Sequence, residues 1–243
     1  MSDEVERIRK EFGGILEHVR EEDYWRCAAA ASRFLKDNRD VREALPYFPM
    51  AAYLRLFAEG YRTWQTCYRY TEIRNKFRLA LMTYRREADK AQGSVSEEDA
   101  ALLSASFEHL SEMLCAYTRC ENAIIGNDPF ALRRHAEEAI GQGDRALDLL
   151  HHACPANRGI ADAADWLRNY FQKNRCLHRG FLSCAEIYSR LMAGEVLSQA
   201  DYRVYMDQAE EDLQSLTGEY CSPELASELN AHIRHLEKHW ARR

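Results

Sequence analysis

Three arginines, Arg55, Arg62 and Arg69, recur seven residues apart inside a stretch from about Met50 to Gln92 that holds no proline and a single glycine, Gly60. Seven residues is nearly two helical turns, so on a helix these guanidinium groups form a row along one side. Such a row on a rigid support is a candidate anion reader, because guanidinium forks match phosphate and carboxylate oxygens bidentately. The same row also reads as a solvated basic face.

Two further constellations carry possible chemistry. His232, His235 and His239 fall at i, i+3 and i+7 and project from one helix face. A zinc site needs ligands from another element as well, and none is identifiable, so no metal and no cofactor is expected. Arg234 and His239 also share the R-x4-H spacing that loosely resembles HEPN ribonucleases, in which both side chains act on an RNA phosphate. His151 and His152 close a helix, where basic groups complement the carbonyl end. No Gly-rich phosphate loop, nucleophile elbow or paired-carboxylate motif occurs, and a non-enzymatic protein is expected.

Composition narrows the class. The 243 residues carry 33 basic and 39 acidic side chains, a net charge of −6, which argues against a general nucleic-acid coat but leaves room for a local basic groove. No charged segment followed by an apolar one opens the chain and no uninterrupted apolar run reaches membrane-spanning length, so a cytoplasmic protein without membrane contact is expected. The eight cysteines include no C-x-x-C pair and read as buried free thiols. Trp25, Trp64, Trp166 and Trp240 stand singly, as core anchors do.

Start and stop signals predict nine antiparallel helices with short connections and no strand: 2–19, a second ending near Asp37, about 50–92, 94–125, 128–152, 160–175, 177–192, 198–216 and 222–240. In the third, apolar residues line up at Leu54, Phe57, Tyr61, Trp64 and Tyr68 and, after a slip, at Ile73, Phe77, Leu81 and Tyr84. The expectation is a single all-helical domain over 1–243. A tetratricopeptide array is a weaker alternative, since no repeat of about 34 residues persists.

Several stretches resemble the 14-3-3 proteins. VREEDYWRCAAAASRFL is similar to that family's second-helix entry. FPMAAYLRLFAEGYRTW is similar to its third, with Tyr53, Arg55, Arg62 and Trp64 in the matching parts after a one-residue shift. LQSLTGEYCSPELASELNAHIRHLEKHW follows the pattern of its last two helices through Leu213, Leu216, Tyr220, Ser227 and Leu229.

The resemblance implies nine helices in an L-shaped subunit whose concave groove binds phosphoserine or phosphothreonine peptides, with 1–92 as the dimerisation half plus groove helix three and 94–241 as the groove half. Arg55 and Arg62 would form one half of the phosphate clamp. Arg133, Arg134 and Arg145 would stand where the family's fifth helix carries a basic residue and an Arg-Tyr pair, although no Arg-Tyr pair occurs there. Leu236 occupies one position where the family has a peptide-holding asparagine, and Arg179 is the nearest polar residue to the other. Leu229, Ile233, Leu236 and Trp240 would line the apolar wall, or pack as ordinary core. The implied partners are phosphorylated protein clients and a second copy of the chain, joined through Ile8, Phe12 and Leu16 against the face from Trp25 to Phe34. The alternative partner for the same arginines is an unmodified peptide or helix bearing acidic side chains.

Overall fold

A computed structural model describes residues 3–66, 70–151, 153, 155, 157–198, 200, 201, 203, 204 and 207, with side chains left out at 64–66. The described elements are helical: α1 (Asp3–Arg20), α2 (Tyr24–Asp37), a short 3-10 turn (Arg42–Tyr47), α3 (Phe48–Thr66), α4 (Tyr70–Lys90), α5 (Glu97–Ile125), α6 (Pro129–His151) and α7 (Arg158–Met192). No strand forms among the described residues beyond one isolated bridge between Gln92 and Val95. None of these helices is long and apolar enough to cross a membrane.

Capping chemistry sets most boundaries. Asp23 accepts from the Arg26 amide at 3.0 Å, Ser96 from the Asp99 amide at 3.0 Å, and Asp128 from the Ala131 amide at 2.9 Å. Each satisfies one of the amides that a helix start leaves without an internal partner. Asn157 caps α7, taking the Gly159 amide at 2.9 Å. At the far end Gly194 adopts a positive φ of 80°, and the Glu195 amide reaches back to the Arg190 carbonyl at 3.1 Å.

The helix boundaries differ from the sequence-based expectation in two places. The single rod expected over 50–92 is two helices, α3 and α4, lying against each other. Phe57 and Phe77 meet with ring centroids 5.7 Å apart, and a Cβ built on Gly60 would come within 3.2 Å of the Lys76 Cβ. On a straight helix, residues 57 and 77 stand about 30 Å apart, so the chain must double back. Conversely, the two helices expected over 160–175 and 177–192 are one 35-residue helix, α7. Cys176, at the expected join, is buried within it. Nothing there demands a break, since the stretch contains no proline and its one later glycine, Gly180, is tolerated in a helix. The last two expected helices fall almost wholly outside the described residues, so seven α-helices are described where nine were expected.

The chain divides into two compact units: residues 1–111 with 148–168, and residues 112–147 with 169–243. In the first, α1 packs on α2 through Ile8, Phe12, Ile15, Leu16 and Val19, all at most 1% exposed. Phe12 meets Phe34 and Tyr47, with centroids 6.1 and 5.0 Å away. A polar clasp reinforces this pair: the buried Asn38 donates to Glu11 at 2.8 Å and to the Phe34 carbonyl at 3.1 Å, while accepting from Arg7 at 2.9 Å. Its aromatic centre stacks Tyr53 on Phe107 at 3.7 Å and sets Phe57 edge-on to Trp166 at 5.9 Å.

In the second unit, α6 and the later part of α7 contribute Leu132, Ala136, Ala139, Phe171 and Phe181 to the core. Arg119 of α5 donates to Glu138 at 2.6 Å and to His135 Nδ1 at 3.2 Å on α6. His178 is fully buried there, edge-on to Tyr117 at 5.5 Å. Cys27 in the first unit and Cys115, Cys120 and Cys176 in the second are buried free thiols, and Cys184 is partly covered. Burial pushes the thiols of Cys27, Cys120 and Cys184 up to about 12, which keeps them protonated and unreactive at neutral pH.

Candidate functional site: a basic cleft at the α3–α4 hairpin

Arg55 lies in the second turn of α3, and Arg86 and Lys90 in the last turns of α4. Were 48–90 one helix, Arg55 and Arg86 would be about 46 Å apart. The reversal between α3 and α4 brings them to one cleft of about 360 Å³, with Arg39, just beyond α2, on its rim. Four cations thus face one carboxylate, Glu87, a local excess of +3 in a chain whose net charge is −6. Concave walls with low-dielectric lining concentrate that field on the cleft rather than dispersing it over the surface.

The cations are not equivalent. Glu87 pairs with Arg86 Nε at 3.1 Å and with Lys90 Nζ at 2.9 Å, and its own side chain is only 19% exposed. Arg86 and Lys90 are therefore already held by an internal anion. Arg55 has no such partner: its Nε is buried and makes no hydrogen bond among the described residues. A buried charged donor without a partner is destabilising by at least about 1–3 kcal/mol, while Arg55 as a whole is only partly covered and lines the cleft. The buried Thr83 adds a hydroxyl group to the lining. Leu35, Leu45, Phe48 and Ala52 add apolar surface to the same lining.

Arg62, one heptad beyond Arg55, does not line this cleft. Its guanidinium lies over the Trp25 ring, 2.9 Å from the centroid, and Trp25 is itself 69% exposed. Arg69 and the side chain of Trp64 lie outside the described residues. Of the second basic group, all members belong to the other unit. Arg133 pairs with Glu186 of α7, Arg134 is exposed with Nη2 3.5 Å from His135 Nε2, and Arg145 is exposed on α6. Arg179 is half-buried on α7. Leu229, Ile233, Leu236 and Trp240, and likewise His232, Arg234, His235 and His239, lie outside the described residues. Among the described residues, no cluster of three or more His, Cys, Asp or Glu side chains could hold a metal ion.

Sequence reasoning missed Arg39, Thr83, Arg86, Glu87 and Lys90. The slip in the apolar seam between Tyr68 and Ile73 was the available signal: an uninterrupted rod keeps its seam in phase, whereas a reversal resets it.

Compared with family models, with curated proteins and with solved structures, the chain matches none.

Proposed function

We propose that this protein is a non-enzymatic adaptor that binds phosphoserine- or phosphothreonine-bearing peptides, with the phosphate seated in the cleft of Arg39, Arg55, Arg86 and Lys90. The observation that carries the reading is the convergence of Arg39, Arg55, Arg86 and Lys90 on one cleft with a surplus of +3. A phosphate ester near −2 charge offers three acceptor oxygens, enough to engage Arg55 while drawing Arg86 and Lys90 from Glu87. The resemblance to 14-3-3 proteins supports the same ligand chemistry. The clamp it suggests differs in composition, for Arg55 works here with cations of α4 rather than with Arg62.

The test is a titration of the full chain with matched phosphorylated and unphosphorylated peptides, repeated with Arg55→Ala and Arg62→Ala. Phosphate is expected to strengthen binding at least tenfold, Arg55→Ala to erase that gain, and Arg62→Ala to change it less than about threefold. A phosphate effect below threefold, about 0.7 kcal/mol, removes the reading.

One observation favours a second reading, a scaffold for unmodified acidic peptides: the Glu87 carboxylate already sits between Arg86 and Lys90. Under that reading, peptides with Asp or Glu in place of the phosphoresidue bind as tightly as the phosphorylated ones.

A further inference from the structure

The cleft's volume of about 360 Å³ lies at the low end of pockets that take up a small organic ligand, about 300–1,000 Å³. Its lining combines two chemistries: the cations Arg39, Arg55, Arg86 and Lys90, and the apolar side chains Leu35, Leu45 and Phe48. All three apolar side chains are only partly covered in the folded chain. They stand beside the cations with apolar surface still in water, which a ligand's hydrocarbon arm would remove from it.

We infer that the cleft recognises an amphipathic phosphate monoester: a dianionic head against the four cations, and an aryl or branched-alkyl arm directly beside it against Leu35, Leu45 and Phe48. The inference rests on the anion-binding reading above and adds the arm. Head and arm act together because a plain apolar solute leaves the surplus of +3 uncompensated, while a plain inorganic anion leaves Leu35, Leu45 and Phe48 wet. On a client protein, the matching feature is a phosphorylated serine or threonine directly beside a bulky apolar side chain.

Isothermal titration of the full chain with inorganic phosphate, phenyl phosphate and phenol tests this. Phenyl phosphate is expected to bind at least tenfold more tightly than inorganic phosphate, with phenol showing no saturable binding. Leu35→Ala, at a partly covered site, should reduce the advantage of phenyl over inorganic phosphate severalfold. The ligand series alone decides the matter if that variant does not fold. Equal affinity for phenyl and inorganic phosphate overturns the apolar arm and leaves the anion site standing. Binding of neither overturns the site itself, and saturable binding of phenol overturns the requirement for a charged head.

Discussion

Glu87 is the residue on which the cleft's affinity turns. Its carboxylate competes with any incoming anion for Arg86 and Lys90 and repels that anion directly. At about 4 Å and an effective dielectric near 20, one unit charge contributes up to about 4 kcal/mol, which screening at a partly open site reduces severalfold. Glu87→Gln keeps the shape and removes the charge, so phosphopeptide affinity is expected to rise about tenfold, near 1.4 kcal/mol; unchanged or weaker binding by the variant contradicts this role. His178 makes a second residue-scale prediction. Its Nδ1 lies 2.6 Å from the Asn174 carbonyl, which can only accept, so Nδ1 carries the proton, while the buried Nε2 has no partner. Burial pulls its pKa down to about 4. In the unfolded chain it titrates near 6.5. Between those values the unfolded state takes up a proton that the folded state refuses, so stability is full above about pH 6.5 and falls by about 1.4 kcal/mol per unit toward pH 4. His178→Phe removes that contribution. Urea midpoints at pH 7.5 and 5 should then differ less in the variant than in the parent, and parallel shifts would refute the assignment.

At the scale of elements, the N-terminal signals of α2 and α6 were readable because each rests on a local residue, Asp23 or Asp128, whose side chain closes its own helix, whereas the start expected at 94 falls two residues before the Ser96 cap of α5. The α3–α4 reversal was not readable in this way. No proline lies between Met50 and Gln92, and Gly60, which looks like a tolerated flaw, faces Phe77 at the packed interface. Long-range packing of Phe57 on Phe77 and Trp166 outweighs a continuous helical propensity, and local rules do not contain that term. The candidate site shared this fate. Arg55 was legible as a cation on a helix, whereas its neighbours Arg86 and Lys90 become neighbours only through the reversal. Gly159 shows the same dependence on a distant partner. It is the second residue of α7, and a Cβ there would strike the ring of the buried Tyr47. Elsewhere in a helix Gly→Ala is stabilising by about 1 kcal/mol. Here the overpacking, about 1–3 kcal/mol, is expected to win, and Gly159→Ala should lower Tm by on the order of 5 °C in a calorimetric scan. An unchanged or raised Tm would show that Tyr47 yields freely.

For the whole molecule, a homodimer remains a proposal with a constraint attached. Ile8, Phe12 and Leu16, the residues suggested for the contact, are at most 1% exposed within one chain. A dimer through them must therefore exchange α1 between copies, and light scattering at micromolar concentration should report twice the 28.3 kDa chain mass if it does so. A monomeric mass removes the proposal. The division into units has its own consequence for biogenesis. Because the first unit is completed only by residues 148–168, with Trp166 against Phe57, the ribosome must release about two-thirds of the polypeptide before that aromatic centre can close. At about 5–20 residues per second, the nascent N-terminal helices wait several seconds with Phe57 uncovered by Trp166, an interval in which a chaperone that holds apolar segments would find its substrate.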